Sequence, residues 1–299
     1  MRERKVKEST VWQIAAHTVM IIGSLLAVLP FVLLIIASFT DNQTALVNGY
    51  SFFPEKWSLE AYAYIAREWV TIGRAYIMTI VVTAVGTILS LVITSTFAFA
   101  VSNDKLPGHK ILMFMSIFTM LFNGGIVASY YVYSNVFHVK DTIWALIVPS
   151  LLMSPFNVVL VKNYFQSSIS PSILEAAQID GASVFQIFCK IVIPLSVPIL
   201  ATIGLMTAIA YWNDWTNGLY FLTERNGSDL YTIQLVLNKM NENINFLSNN
   251  SELASKAASL PSTTMRMAIA VIGVLPMMVA YPFFQKYFVK GITLGGVKE

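Results

Sequence analysis

The chain has 299 residues, of which 56% are hydrophobic and only 12% are charged, and its formal net charge is +3. Soluble domains carry roughly 25% charged residues, so these proportions exclude an ordinary soluble fold, and the small net charge makes no case for nucleic acid. One cysteine, Cys189, excludes an intrachain disulfide and a zinc cluster built from cysteines.

The apolar residues come in blocks with almost no charge inside, the pattern of membrane spans. A basic start with Arg2, Arg4, Lys5 and Lys7 leads into an uncharged stretch at residues 11–40. That run is about twice the length of a signal-peptide apolar region and no small-x-small site follows it, so an uncleaved first span is expected. Five more spans are expected at residues 75–101, 111–137, 143–161, 197–222 and 267–284. Each can cross a hydrocarbon core of about 30 Å at about 1.5 Å per residue, and such runs are too long and too continuous for barrel strands. Asn123-Gly124-Gly125 and Ser154-Pro155 are expected to break or kink their helices. Tyr130, Tyr131 and Tyr133 near the end of the third span are read as an interfacial aromatic belt, with a sugar platform as the other option.

Lys and Arg are in slight excess at the ends that face inward if the N-terminus is cytoplasmic. The expected organisation is a cytoplasmic tail at residues 1–12 and a single six-span domain at residues 13–299, with both termini in the cytoplasm. Two outer loops are expected, at residues 41–74 and 223–266. The first contains a possible short helix from Ser58. The second, rich in Asn and Ser, is either a flexible loop or a docking surface for an extracellular partner. There is no internal repeat, which would have favoured a secondary transporter.

The inner loop at residues 163–196 is the most informative segment. Ser170 suits a helix N-cap, Pro171 suits the first helical position, and Gly181 suits the stop. Ser183-x-x-Gln186 is a capping box that opens a second short helix ending near Pro194. Two short helices at a sharp angle are expected on the inner face of the membrane.

Glu175-Ala176-Ala177, three residues, Gly181, nine residues, then Ile191-x-Ile193-Pro194 resembles the EAA loop of ABC importer permeases. That family prefers Leu where this chain has Ile193. Asp180-Gly181-Ala182, Pro198, Trp212-Asn213-Asp214 and the C-terminal Gly291 to Lys298 segment resemble the carbohydrate branch, in particular the second permease of maltose-type importers. The resemblance implies an all-α membrane protein with the type I permease fold, in a bacterial cytoplasmic (inner) membrane. Its implied partners are a homologous second permease, two ABC ATPase subunits that bind ATP and Mg, an extracellular solute-binding protein and membrane lipid. The implied cargo is a sugar, an oligosaccharide before a monosaccharide, neutral or acidic. Glu175, Ala176, Ala177, Asp180 and Gly181 would then form the element that couples to the ATPase. The chain itself has no G-x-x-x-x-G-K-[ST] loop, no H-E-x-x-H pair, and histidines scattered at His17, His109 and His138, so neither a catalytic residue nor a cofactor is expected in it.

Asp214 is the one carboxylate inside an expected span. A carboxylate at membrane depth costs about 2.5–3.5 kcal/mol on insertion scales, so it should face protein or water. Asn213 and Asn217, four apart, would share a helix side. With Asp214 they could bind sugar hydroxyls, and Tyr211 and Trp212 could offer ring faces to a sugar. A structural pairing of Asp214 with a neighbouring helix is the competing reading. A proton relay, as in a proton-coupled secondary transporter, is the third.

Overall fold

The computed structural model describes residues 10–249 and 262–296, and the described residues form helices joined by turns, with one isolated antiparallel bridge. The basic start and Lys298 lie outside them. Two compact units emerge, one of residues 1–69 and 240–275, the other of residues 70–239 and 276–299.

In the first unit, α1 (Thr10–Ser38) is apolar on every side, and none of its most apolar stretch is buried by protein. A helix apolar all round and uncovered by protein is a membrane span. Pro30 sits inside it without ending it. The chain then turns through α2 (Asn42–Asn48), where the Asp41 carboxylate accepts the Thr44 amide at 3.0 Å as an N-cap. A bridge between Thr40 and Trp57 closes this turn, held by Asp41 N–H to Lys56 O at 3.0 Å and Ser58 N–H to Phe39 O at 2.8 Å. The short helix expected after Ser58 forms as α3 (Glu60–Arg67). Tyr62 on it stacks on Phe39 and hydrogen-bonds Ser38 at 2.8 Å.

The second unit is built around α4 (Trp69–Ser102), a continuous apolar helix that contains the second expected span. The third expected span is interrupted. α5 (His109–Leu121) stops before Asn123, whose side chain accepts the Gly125 amide at 2.8 Å, and Gly125 takes a left-handed φ of 79°. The chain resumes as α6 (Gly125–Tyr131) and a π turn at Val132–Val136. The fourth is interrupted too: α7 (Trp144–Ile147) ends in turns, and α8 (Pro155–Ser168) starts with Ser154 at its N-cap and Pro155 at its first position. Both breaks fall where the Gly and Pro residues put them, because glycine admits positive φ and proline lacks the N–H that a helix interior needs.

Next come α9 (Pro171–Ile179) and α10 (Val184–Ile187), with a π turn at Phe188–Val192, then α11 (Ile193–Leu195) and α12 (Val197–Asn213). The chain bends by 79° where Leu195 passes to Val197. Pro198 causes this, having no amide hydrogen and a ring that would strike the carbonyl four residues back. α12 runs antiparallel to α4, with Gly86 facing Tyr211 and Gly204 facing Leu91. The fifth expected span is also not one helix. It breaks at Asp214, which is extended (φ −74°, ψ 120°), and continues as α13 (Thr216–Phe221).

Among the described residues, the segment after residue 222 is helical over much of the stretch that its Asn and Ser content allowed to be a flexible loop. It carries α14 (Ile233–Asn249), whose Asn241 to Asn245 run is helical. Its buried residues Ile233, Leu235, Val236 and Leu237 supply the apolar side that composition alone conceals. The last helix is α15 (Ser262–Gly296), which spans the sixth expected stretch with Pro276 and Pro282 inside it. Among the described residues, two helices are long and apolar enough to cross a membrane, or three if the bent pair at Ser196 is one span. Shorter apolar helices lie at His109–Leu121 and Thr263–Val279. Among the described residues the third, fourth and fifth expected spans are therefore interrupted and not single straight helices.

Two cores organise the second unit. One joins Ala98 and Val101 of α4, Val158 and Val161 of α8, Ile187 and Val192, and Ile203 of α12. The other joins Val82, the Ala145–Ile147 turn, Tyr211, Phe221 and Leu235. Tyr130 and Tyr133 pack on Phe221 at ring-centroid distances of 5.8 and 5.9 Å, so only the exposed Tyr131 fits the aromatic-belt reading.

Candidate functional site

The loop at residues 170–196 takes the local form its residues dictate. Ser170 is extended at the N-cap position and Pro171 opens α9, although the Ser170 hydroxyl bonds Ser172 at 2.7 Å instead of capping an amide. α9 ends in a Schellman motif: Ala182 N–H reaches Ala177 O at 2.9 Å, and Gly181 N–H reaches Gln178 O at 3.1 Å. The motif demands a left-handed residue after the C-cap, and Gly181 has φ 81°. Ala177 and Ala182 both touch the first core, the apolar contact that accompanies such an end. Ser183 and Gln186 close the expected capping box, with Ser183 N–H to Gln186 Oε1 at 2.8 Å and Gln186 N–H to Ser183 Oγ at 3.3 Å.

Leu174 and Ala177 face inward, whereas Glu175, Ala176, Asp180 and Gly181 are exposed. Three large apolar residues beside them are also uncovered: Ile179 at 86%, Val184 at 67% and Phe185 at 74% exposure. Sequence reasoning did not single these out, although the apolar pair Val184-Phe185 inside the capping box was there to be read. Behind α9 lies a cleft of about 470 Å³, lined among others by Phe99, Lys105, Gln166, Leu174, Glu175 and Gln178. Gln166 donates to Ser102 O at 3.2 Å at its wall.

The second group of expected residues is split by the break at Asp214. Tyr211 is buried and its hydroxyl donates to Ile147 O at 2.8 Å. Trp212 is buried beside it, 6.4 Å from the Tyr76 ring between centroids. Asn213 is exposed and donates to Ile209 O at 3.0 Å on its own helix. Asn217 is buried and donates to Pro149 O at 2.9 Å. Asn213 and Asn217 thus do not share a helix side as expected, since that requires unbroken helix between them. Asp214 Oδ1 accepts the Thr216 and Asn217 amides at 3.2 and 3.4 Å. This carboxylate serves the first-turn N–H groups of α13, which have no intrahelical partners. Asp214→Asn keeps an acceptor there and is expected to leave thermal stability and transport close to wild type. Asp214→Ala is expected to cost about 1 kcal/mol, read as a lower melting temperature. A transport loss in Asp214→Asn with unchanged stability would contradict the capping role.

A residue that sequence reasoning missed is Asp141. It has φ 56°, tolerable for Asp, and receives Thr223 N–H at 2.5 Å and the Thr223 hydroxyl at 2.9–3.0 Å. It ties the turn before α7 to the end of α13. Asp141→Ala is expected to lower stability by about 2–3 kcal/mol, because these are hydrogen bonds to a charged group; scanning calorimetry in detergent measures it. Nearby, Lys239 of α14 donates to Glu224 at 2.9 Å and to Tyr231 at 2.8 Å. The Lys239 hydrogen bond holds the Glu224 carboxyl below its ordinary value. Burial pulls the Lys239 ammonium down, but its bonds to Tyr231 and Glu224 outweigh that and leave it raised. The pair therefore supports α14 above the ordinary carboxylate value, and that support fades as pH falls through the lowered one. Among the described residues no group of His, Cys, Asp and Glu could hold a metal ion.

Known proteins are similar to this chain in sequence and fold. Residues 8–294 match the family model described as binding-protein-dependent transport system inner membrane component. The polygalacturonan/rhamnogalacturonan transport system permease protein YtcP of Bacillus subtilis (strain 168) is 36% identical over 92% of this chain and 94% of that one. Protein LplC of the same organism is 34% identical over 91% of this chain and 90% of its own. A crystal structure of a bacterial ABC transporter involved in the import of the acidic polysaccharide alginate superposes with a TM-score of 0.77. It is 29% identical and covers 94% of this chain and 98% of that one.

Proposed function

The chain belongs to the family of binding-protein-dependent transport system inner membrane components, and from that premise we propose that it forms half of the pore of an ATP-driven importer of acidic oligosaccharides. It is a permease, a membrane subunit that carries no catalytic centre of its own. Its ATP hydrolysis is supplied by two ATPase subunits, which hold ATP and Mg. A second, homologous permease completes the pore, and an extracellular solute-binding protein delivers the sugar. The six expected crossings are retained as two straight spans and several interrupted ones, in a single permease domain with both termini in the cytoplasm.

The observation that carries the coupling role is the exposed face at Ala176, Ile179, Val184 and Phe185, flanked by Glu175 and Asp180. An apolar patch rimmed by charge marks a protein contact. In this reading Glu175, Ala176, Ala177, Asp180 and Gly181 form the element that rides on the ATPase, with the exposed Ala176 small enough for close approach and Ala177 turned inward to anchor the element on the first core. The interrupted helices support a pore role, since non-helical backbone at membrane depth is tolerated where it is buried or lines a water-filled path. Tyr211, Trp212, Asn213, Asp214 and Asn217 stay with that path. Of these, Asn213 is exposed enough to meet a sugar, Asp214 serves the α13 amides, Asn217 holds Pro149 O, and Tyr211 and Trp212 are buried.

The choice of an acidic cargo rests on two similar proteins, the polygalacturonan/rhamnogalacturonan permease and the alginate importer. Proton-coupled transport through Asp214 has no support, since that carboxylate is committed to the α13 amides. The test is uptake of labelled oligogalacturonides and of neutral maltooligosaccharides by cells with and without this gene. Uptake of the acidic oligomers should vanish with the gene, whereas loss of neutral uptake alone would overturn the choice of cargo.

A further inference from the structure

We propose that the pocket between α4, α5 and α8 binds the headgroup of an anionic phospholipid, with an acyl chain lying along α5. The pocket has a volume of about 350 Å³ and is lined by Val101, Asp104, His109, Lys110, Met113, Phe114, Ile117 and Lys162. Its chemistry divides by position. Lys110 lies in the first turn of α5 and Lys162 reaches in, half-buried, from α8. Among the described residues no ion pair joins either lysine to a carboxylate, and the one acid of the pocket, Asp104, lies 3.7 Å from His109. The N-cap of α5 is Gly108, which has no side chain to cap the first-turn amides, so the positive end of that helix adds to the two ammonium groups.

One helical turn on, the lining becomes apolar, with Met113, Phe114 and Ile117. Phe114 is 65% exposed and continues into the exposed Ile111, Phe118 and Leu121 of the same helix. An acidic segment of a soluble partner would satisfy the lysines but leave this strip in water. A phospholipid satisfies both, its phosphate between the lysines and its chain on the Phe114 strip. Basic pockets between membrane helices take anionic headgroups in this way, each lysine adding attraction near the bilayer surface.

The experiment uses the full-length chain purified with the subunits that accompany it from the membrane. Native mass spectrometry follows retention of dioleoylphosphatidylglycerol and dioleoylphosphatidylcholine, and melting temperature is read with each lipid and with inorganic phosphate. The glycerol lipid should be retained and raise the melting temperature, and the choline lipid should do neither. The double variant Lys110→Gln/Lys162→Gln should weaken retention by about thirtyfold. Lys110→Arg/Lys162→Arg should retain the lipid, which separates a charge effect from misfolding. Equal retention of the two lipids, or equal retention by wild type and the glutamine variant, would overturn the proposal. An identical rise in melting temperature with inorganic phosphate would leave an anion site and refute the lipid.

Discussion

A Gly181→Val permease is expected to insert and assemble normally but to lose at least about tenfold in transport per ATP hydrolysed. The reason is confined to the backbone. A Cβ built at Gly181 meets nothing within 4 Å, so no clash is involved, but φ is 81°. A β-branched residue there carries about 1–2 kcal/mol of left-handed strain. The chain relieves it by abandoning the Schellman motif and releasing the Ala182–Ala177 and Gly181–Gln178 bonds. The relation of α9 to α10 is then no longer fixed, and with it the face bearing Glu175, Ile179 and Phe185. Gly181→Asn tests the cause, since Asn tolerates the left-handed region and should keep most of the coupling. Sugar uptake and ATP hydrolysis measured together in proteoliposomes decide the matter. Full coupling in Gly181→Val would remove the loop from the mechanism.

Gly86→Ala is expected to destabilise the transporter by about 1–3 kcal/mol from overpacking alone. The added Cβ would lie 2.5 Å from Cζ of the Tyr211 ring, in the contact between α4 and α12. Tyr211 is 1% exposed and its hydroxyl is bound to Ile147 O, so it has no vacant position to take. Pushing the ring aside also strips a buried carbonyl of its partner, a further cost of about 1–3 kcal/mol. The melting temperature in detergent should fall by about 5 °C or more. Because the clash is with one ring, Gly86→Ala/Tyr211→Leu should be no less stable than Tyr211→Leu. If the two substitutions simply add, the contact is not the source of the loss.

The loop at residues 170–196 was legible almost residue by residue. Pro171, Gly181 and the Ser183–Gln186 box act over three or four positions, and that is the range of the hydrogen bonds they make or forbid. Asn123-Gly124-Gly125 and Ser154-Pro155 announced their breaks for the same reason. Hydropathy could not tell a straight span from an interrupted one, because it averages over a window of residues, and the apolar residues on either side of Asn213-Asp214 keep the window apolar whether or not the helix continues. The helical character of the Asn-rich segment at α14 was hidden too, since its stabilising face depends on burial of Ile233 and Leu235 by distant residues.

Composition and local chemistry by themselves therefore determined a helical membrane chain, the start and stop of its informative loop, and the family resemblance that the comparisons then bore out. Tertiary structure alone decided which side of that loop stays uncovered and that Asn213 and Asn217 point apart. It also decided that Gly86 is a contact for Tyr211, that Asp141 holds Thr223, and that Lys110 and Lys162 share a pocket. Caps and breakers act between neighbours in sequence, whereas the Gly86–Tyr211, Asp141–Thr223 and Lys110–Lys162 pairings join residues separated by tens of positions, which only the folded chain brings within reach.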